Sequence, residues 1–98
     1  MIAPDDIDTF RRDGAVCLRS AFSEEWLTKL RAGIDADMAT PTENLTRHTK
    51  DPDAPGYYED YWAWSKIPQF EDFVRNSPCS SLAAGLLGAD SINLVMDN

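Results

Sequence analysis

The chain has 98 residues, of which 43% are apolar, and a formal net charge of −8. This length allows one domain or part of one, and four Phe, three Tyr and three Trp residues argue against a disordered coil. The acidic charge repels phosphate backbones and no basic cluster offsets it, so we expect no nucleic-acid binding. No window reaches the ~18 apolar residues needed to cross a bilayer. Because no secretion leader is visible either, we expect no membrane association and an intracellular, cytoplasmic location.

Two helices and a short strand are predicted before residue 39. The first helix is Pro4–Asp13, because proline suits the first turn and acidic residues favour the positive end of the helix dipole. Gly14 supplies a left-handed stop, and Ala15–Leu18 is typical of a buried strand, with Cys17 as a small buried side chain. Ser23 can cap the second helix. The apolar stripe of this helix, which we expect in the core, consists of Leu27, Leu30, Ile34 and Met38.

Residues 39–56 show no regular periodicity. Prolines, threonines and alternating charges predict a polar loop of the kind that forms lids or stays disordered. The single histidine of the chain, His48, lies in this loop. Without a second histidine or a cysteine nearby, its ring is expected in water rather than on a metal ion.

The segment Tyr57–Trp64 is dense in aromatic residues, which favours a strand, with a helix as the alternative. In a strand, Trp62 and Trp64 share one face with Tyr58 and Asp60. We expect this face in the core, and the alternative is an exposed aromatic face that stacks on bases or sugars.

Two further helices and a strand are predicted in the last third of the chain. Pro68 opens the first of these helices, Ser77-Pro78 begins the next, and Gly88 ends it. Ser91–Asn98 alternates in polarity and is typical of a strand. No turn follows, so this strand looks interrupted, and its open edge predicts self-association.

The spacing of the polar residues specifies no reaction. The sequence has no phosphate-binding glycine loop, no Cys-x-x-Cys pair and no Ser/His/Asp set, and no two carboxylates are spaced for acid–base work. Cys17 and Cys79 are too few for a disulfide framework, and we expect reduced structural thiols. The residues alone therefore predict an acidic α+β segment.

The order of these segments resembles the opening of the phytanoyl-CoA dioxygenase family of Fe(II)/2-oxoglutarate oxygenases. Phe10–Leu18 is similar to the helix, glycine stop and first strand of that family, and Ser23–Ile34 is similar to the amphipathic helix that follows. Tyr61-Trp62 and Phe70–Gly88 resemble the family's helical pair. Leu94–Asn98 resembles the strand that leads towards the metal site. The resemblance spans nearly the whole chain outside residues 39–56.

The resemblance implies the N-terminal portion of a double-stranded β-helix, a jelly-roll or cupin-like fold, as a single partial domain over residues 1–98 that ends before the metal-binding strands. In the family, a His-x-Asp pair and a distal His hold Fe(II), and an Arg binds 2-oxoglutarate. This chain has no His-x-Asp pair, so it is expected to be an inactive fragment that binds neither cofactor alone. Its parent would hydroxylate a small organic substrate, and the loop at 39–56 would cover the substrate entrance.

Trp62, Trp64 and Asp97 are the candidate residues of a substrate pocket. The alternative for the two tryptophans is a place in the core, and the alternative for Asp97 is a solvated carboxylate at the end of a strand. We expect no catalytic, cofactor-binding or metal-binding residue in the chain.

Two other functions compete with the oxygenase fragment. One is a complete small acidic module that binds a basic protein through the aromatic segment and the surface acids. The other is an acidic inhibitor that mimics nucleic acid, against which the apolar interruptions argue. Cooperative unfolding favours the complete module, whereas aggregation or dimerisation through an open strand edge favours the fragment.

Overall fold

The computed structural model describes residues 2–98, which form four helices and one two-stranded sheet. The helices are α1 (Pro4–Asp13), α2 (Glu24–Ala39), α3 (Pro68–Asn76) and α4 (Cys79–Leu87), and the strands are β1 (Leu45–Arg47) and β2 (Tyr58–Asp60). This mixture confirms the predicted α+β class. Within residues 2–98, no helix is both long enough and apolar enough to cross a membrane.

The predicted helix ends at Gly14, Ser23 and Gly88 are confirmed, whereas α4 begins at Cys79, one residue after the predicted first position Pro78. Gly14 ends α1 with φ 78°, and its N–H donates to the carbonyl oxygen of Phe10 at 2.8 Å. At the start of α2, Ser23 Oγ accepts a hydrogen bond from Trp26 N at 3.4 Å. Gly88 ends α4 with φ 65°. Both glycines lie in the left-handed region, where a side chain would be strained.

Helices α2 and α3 pack closely because α2 has a buried glycine at the crossing point. A Cβ at Gly33 would lie 2.6 Å from Phe70 Cε1, so only a residue without a side chain fits there. Next to this point, the Phe73 ring lies 5.2 Å from the ring of Phe22 and 5.8 Å from that of Trp26, the latter edge-on. The two helices thus share an aromatic contact.

The predicted polar loop contains a strand, which corrects the prediction for residues 39–56. β1 pairs antiparallel with β2, with Thr46 opposite Glu59. The connection between the strands is organised by Arg47, whose Nη2 donates to the carbonyl oxygens of Asp51 at 3.0 Å and Ala54 at 2.9 Å. Strands of three residues are too short to show a periodicity, and a side chain rather than a ladder satisfies the backbone of this turn.

The three predicted strands were wrong in extent or in existence. Neither Ala15–Leu18 nor Ser91–Asn98 forms a ladder, because the described residues offer them no partner strand. Tyr57–Trp64 contributes only β2. Its ladder ends at Asp60, and Trp62 then takes the left-handed conformation with φ 56°, which breaks the alternation of faces.

The apolar core is small. Among residues 2–98, the buried hydrophobic residues are Ala63 and Ile67. Cys17 is exposed rather than buried. Ile34 and Met38, predicted in the core, are 54% and 49% exposed, because they border an open cavity beside the hairpin instead of a packed layer. The radius of gyration is 16.1 Å, whereas a compact domain of this size has about 13 Å.

Candidate functional site

Asp97 joins the last residues of the chain to the turn that follows β2. Its Oδ2 accepts a hydrogen bond from Trp64 N at 3.0 Å, and its main-chain carbonyl accepts one from Trp62 N at 3.1 Å. Asn98 Nδ2 donates to Glu59 Oε1 at 2.8 Å, which fixes the same segment to β2. Asp97 Oδ1 is buried and has no donor among the described residues. The carboxylate is therefore not a solvated strand end.

An apolar cavity of about 510 Å³ lies beside Asp97, between α2, α3, α4 and the last residues of the chain. Trp64 and Asp97 both line it, so the structure brings two of the three predicted pocket residues together. The volume lies in the range of roughly 300–1,000 Å³ that is usual for small-molecule sites. No Lys, Arg or His lines this cavity.

Trp62 does not line the cavity. Its side chain is 54% exposed, and its left-handed backbone turns it away from the direction that a continuous strand would give. Trp64, which does line the cavity, also lies against Arg75, whose guanidinium carbon is 5.5 Å from the centre of the Trp64 ring. The prediction of one shared tryptophan face was wrong because the strand ends two residues before Trp62.

Three carboxyl groups from α2, β2 and the last segment border a second, smaller cavity of about 180 Å³: Asp37, Asp60 and Asp97. Asp60 is only 6% exposed and accepts a hydrogen bond from Thr42 N at 2.7 Å and another from the Thr42 hydroxyl. Burial would raise the pKa of Asp60, but the lowering contributions are larger in sum and hold the pKa below its ordinary value. They are the two hydrogen bonds from Thr42, a hydrogen bond with Asp37 and the charge of Lys66.

Asp37 has the opposite shift. Burial, a hydrogen bond with Asp60 and the negative charges of Asp60 and Asp97 raise the pKa of Asp37 to about 6. When both carboxyl groups are ionised, neither can donate, and Asp37 Oδ1 is buried without a donor among the described residues. A proton on Asp37 lets it donate to Asp60. The two residues therefore form a carboxyl pair that shares one proton below about pH 6.

The described residues do not fit a metal centre. No group of three His, Cys, Asp or Glu side chains among residues 2–98 could hold a metal ion. His48 is engaged elsewhere, with its Nε2 2.6 Å from Glu59 Oε2 and its ring 5.5 Å from that of Tyr57. The geometry thus provides a proton-sharing pair and an apolar cavity, whose wall also includes Cys79 and Ser80.

The sequence did not predict the roles of Asp37 and Asp60. One feature of the sequence could have indicated a role for Asp60, because it is an acid on a strand face otherwise assigned to Tyr58 and the two tryptophans. Asp37 carried a weaker signal, as a carboxylate next to Met38 at the edge of the apolar stripe. Their proximity depends on the hairpin, which the sequence did not show.

Comparison of the chain with protein-family models, with curated proteins and with solved structures gave no match. The function is therefore inferred from the residues and their arrangement.

Proposed function

We propose that this chain is the N-terminal framework segment of an Fe(II)/2-oxoglutarate-dependent oxygenase similar to the phytanoyl-CoA dioxygenases. In this role, its uncovered apolar surface packs against a jelly-roll, double-stranded β-helix that holds the cofactors. The chain supports that sheet and supplies one wall of the pocket for a small organic substrate. The observation that carries the proposal is the unfinished core of the chain.

The last segment of the chain is the clearest part of this unfinished core. Leu94, Val95 and Met96 are consecutive and exposed, Val95 to 87%. Single exposed apolar residues are ordinary, but a continuous apolar run is typical of a surface that another part covers. Leu87, at the end of α4, is exposed as well. A β-sheet that packed on this segment would bury these side chains.

The backbone of the same segment supports this arrangement. Within the described chain, no hydrogen bond uses an N–H or a carbonyl group of residues 91–96. Unpaired backbone groups beside apolar side chains form an edge that accepts an added strand. The predicted strand Ser91–Asn98 would then form only when a partner strand is present. The same edge would allow self-association of the isolated chain.

Iron and 2-oxoglutarate enter the proposal only through residues outside this chain. The donor set described above does not fit an Fe(II) site, since Asp37 and Asp60 are engaged with each other and His48 pairs with Glu59. The chain contributes packing and one wall of a cavity, on which Trp64 and Asp97 lie.

The first test is to read the coding sequence beyond the codon for Asn98. A His-x-Asp pair within a few tens of residues, followed by a distal His and an Arg, is the expected result. A stop codon directly after Asn98 would overturn the proposal.

The second test uses the longer protein if one is encoded. Val95→Asp places a charge on the surface that is proposed to be covered, so it should lower the yield of soluble, iron-binding protein. Ala89→Asp adds a charge at an exposed position before this segment and outside the cavity wall, and is the control. Equal yields of the two variants would contradict the proposed packing.

A complete acidic module that binds a basic protein is the second candidate function. Tyr57 and Trp62 favour it, because both are large exposed aromatic residues on a chain with a net charge of −8. Sedimentation and urea unfolding separate the two. A monomer that unfolds in one cooperative step favours the module, and concentration-dependent association favours the framework segment.

A further inference from the structure

We infer that the cavity of about 510 Å³ binds an apolar amine, that is, a small molecule with a hydrophobic body and one ammonium or N–H group that reaches Asp97. This is the same cavity whose wall the proposed function assigns to a substrate pocket, but the inference depends on residues of this chain alone and requires no iron.

The walls of the cavity determine the body of the ligand. They are formed mainly by apolar side chains from three helices and the last segment, among them Leu30, Phe70, Phe73, Ala83 and Ile92. A hydrophobic ligand body gains by leaving water for such a wall. Phenyl or short alkyl groups match both the volume and the aromatic lining.

Asp97 determines the polar group of the ligand. One of its carboxylate oxygens, Oδ2, already accepts from Trp64 N, whereas Oδ1 is buried without a donor among the described residues. A buried acceptor without a donor is costly, and more so when it is charged. Asp97 borders both this cavity and the smaller one beside Asp37, and an N–H group of a ligand that reaches its carboxylate would supply the missing donor. An apolar side chain from elsewhere could fill the same space but would leave Oδ1 unpaired.

Charge selects an amine over an acid. The wall carries the Asp97 carboxylate and no Lys, Arg or His side chain, so nothing there neutralises a carboxylate or a phosphate. The net charge of −8 acts in the same direction over a longer range. Both the Asp97 carboxylate and the net negative charge of the chain attract a cation.

The test compares two probes of the same shape and opposite charge. The 98-residue chain is titrated with 4-phenylbutylamine and with 4-phenylbutyrate by calorimetry, and Trp64 on the wall provides a fluorescence signal. We expect saturable 1:1 binding of the amine, with an affinity about tenfold or more above that of the acid. No saturable binding of either probe, or equal binding of both, would overturn the inference.

Two pairs of variants locate the site. Asp97→Asn keeps an oxygen acceptor for Trp64 N but removes the charge, so the preference for the amine should vanish, whereas Asp90→Asn, an exposed acid outside the cavity wall, should leave it unchanged. Ala83→Leu fills the cavity and should weaken the amine about tenfold. Ala32→Leu, exposed on α2, is its control.

Circular dichroism shows whether each variant is folded. If Asp97→Asn does not fold, the Ala83→Leu pair decides, and amine binding that Ala83→Leu leaves intact would place the ligand elsewhere and overturn the inference. The reading of the coding sequence beyond Asn98 tests the proposed function separately, so the failure of one proposal is distinguishable from failure of the other.

Discussion

Helix α2 makes two contacts of different chemistry. In its middle it meets α3 through Gly33 and the aromatic rings around Phe73. Near its C-terminal end it meets the hairpin through Asp37, whose carboxyl group shares a proton with Asp60. We call these the aromatic contact and the carboxyl contact.

The two contacts respond to different conditions. Burial of rings does not depend on pH, and the Lys29–Asp72 ion pair beside the aromatic contact is partly exposed, so it adds only about 0–1 kcal/mol. The carboxyl contact changes with the number of protons that it holds. The hydrogen bond from Lys29 lowers the pKa of Asp72, so this ion pair responds to pH only below the ordinary value of that carboxyl. Above about pH 4, the helix therefore has one contact that pH leaves unchanged and another that pH controls.

The largest expected effect is on the aromatic contact. Phe73→Ala removes the ring that touches Phe22 and Trp26. Complete burial of such a ring is worth about 3–5 kcal/mol, and because Phe73 is only half-buried we expect the free energy of unfolding to fall by about 2–4 kcal/mol. Urea unfolding followed by tryptophan fluorescence measures it. Val95→Ala, at an exposed position, should cause almost no loss, and a similar loss in both variants would refute the assignment of the contact.

The carboxyl contact should be weaker but still measurable. Asp60→Ala leaves the partly buried amide of Thr42 without its acceptor, so the free energy of unfolding should fall by about 1–3 kcal/mol. Asp60→Asn keeps one acceptor oxygen and should recover much of this loss. If the alanine and asparagine variants were equally stable, Thr42 would not depend on Asp60.

The same comparison separates what could be predicted from the sequence from what could not. Helix ends follow from local rules, so Pro4, Gly14, Ser23 and Gly88 marked them correctly. The close crossing at Gly33 was not predicted, because a glycine in a helix does not reveal which ring lies against it.

The predictions failed where structure depends on distant partners. A strand forms only if another strand is placed beside it, so Ala15–Leu18 and Ser91–Asn98 were assigned as strands from composition alone, and β1 was missed inside a polar segment. The cavity was predicted only in part. Trp64 and Asp97 were identified, whereas Trp62 was excluded by a backbone turn that nothing in the aromatic run indicated.

The pH dependence of stability should come from Asp37 above about pH 4. The pKa of Asp37 is about 6 in the folded chain, against an ordinary value of 3.8 in the unfolded chain, so between these values the folded state holds a proton that the unfolded state has lost. Stability therefore falls as the pH rises through this window. The pKa of Asp60 is lowered in the folded chain, so Asp60 affects stability only at pH values below the ordinary pKa of an aspartate. In that range, stability falls as the pH falls.

Asp37→Asn tests this directly, because its amide can donate to Asp60 at any pH. We expect the variant to be more stable than the parent near pH 7 and to lose the decline in stability between about pH 4 and pH 6. Urea unfolding at both ends of this window measures it, in a His48→Gln background that removes the one histidine of the chain. A decline that persists in Asp37→Asn would assign the titration to another group.

The smallest expected changes in stability are those of alanine substitutions at two glycines within helices. Gly33→Ala pushes a methyl group into the Phe70 ring, and the cost of overpacking, about 1–3 kcal/mol, exceeds the gain in helix propensity of about 1 kcal/mol. At Gly85 in α4, the same methyl group would meet only the side chain of Ile2, whose flexible end, Cδ1, lies at 3.0 Å. Gly85→Ala should therefore keep most of the propensity gain and raise the melting temperature, while Gly33→Ala lowers it. Because both variants make the same chemical change in a helix, opposite signs would isolate the α2–α3 crossing as the cause, and shifts of the same sign would show that Phe70 moves aside at little cost.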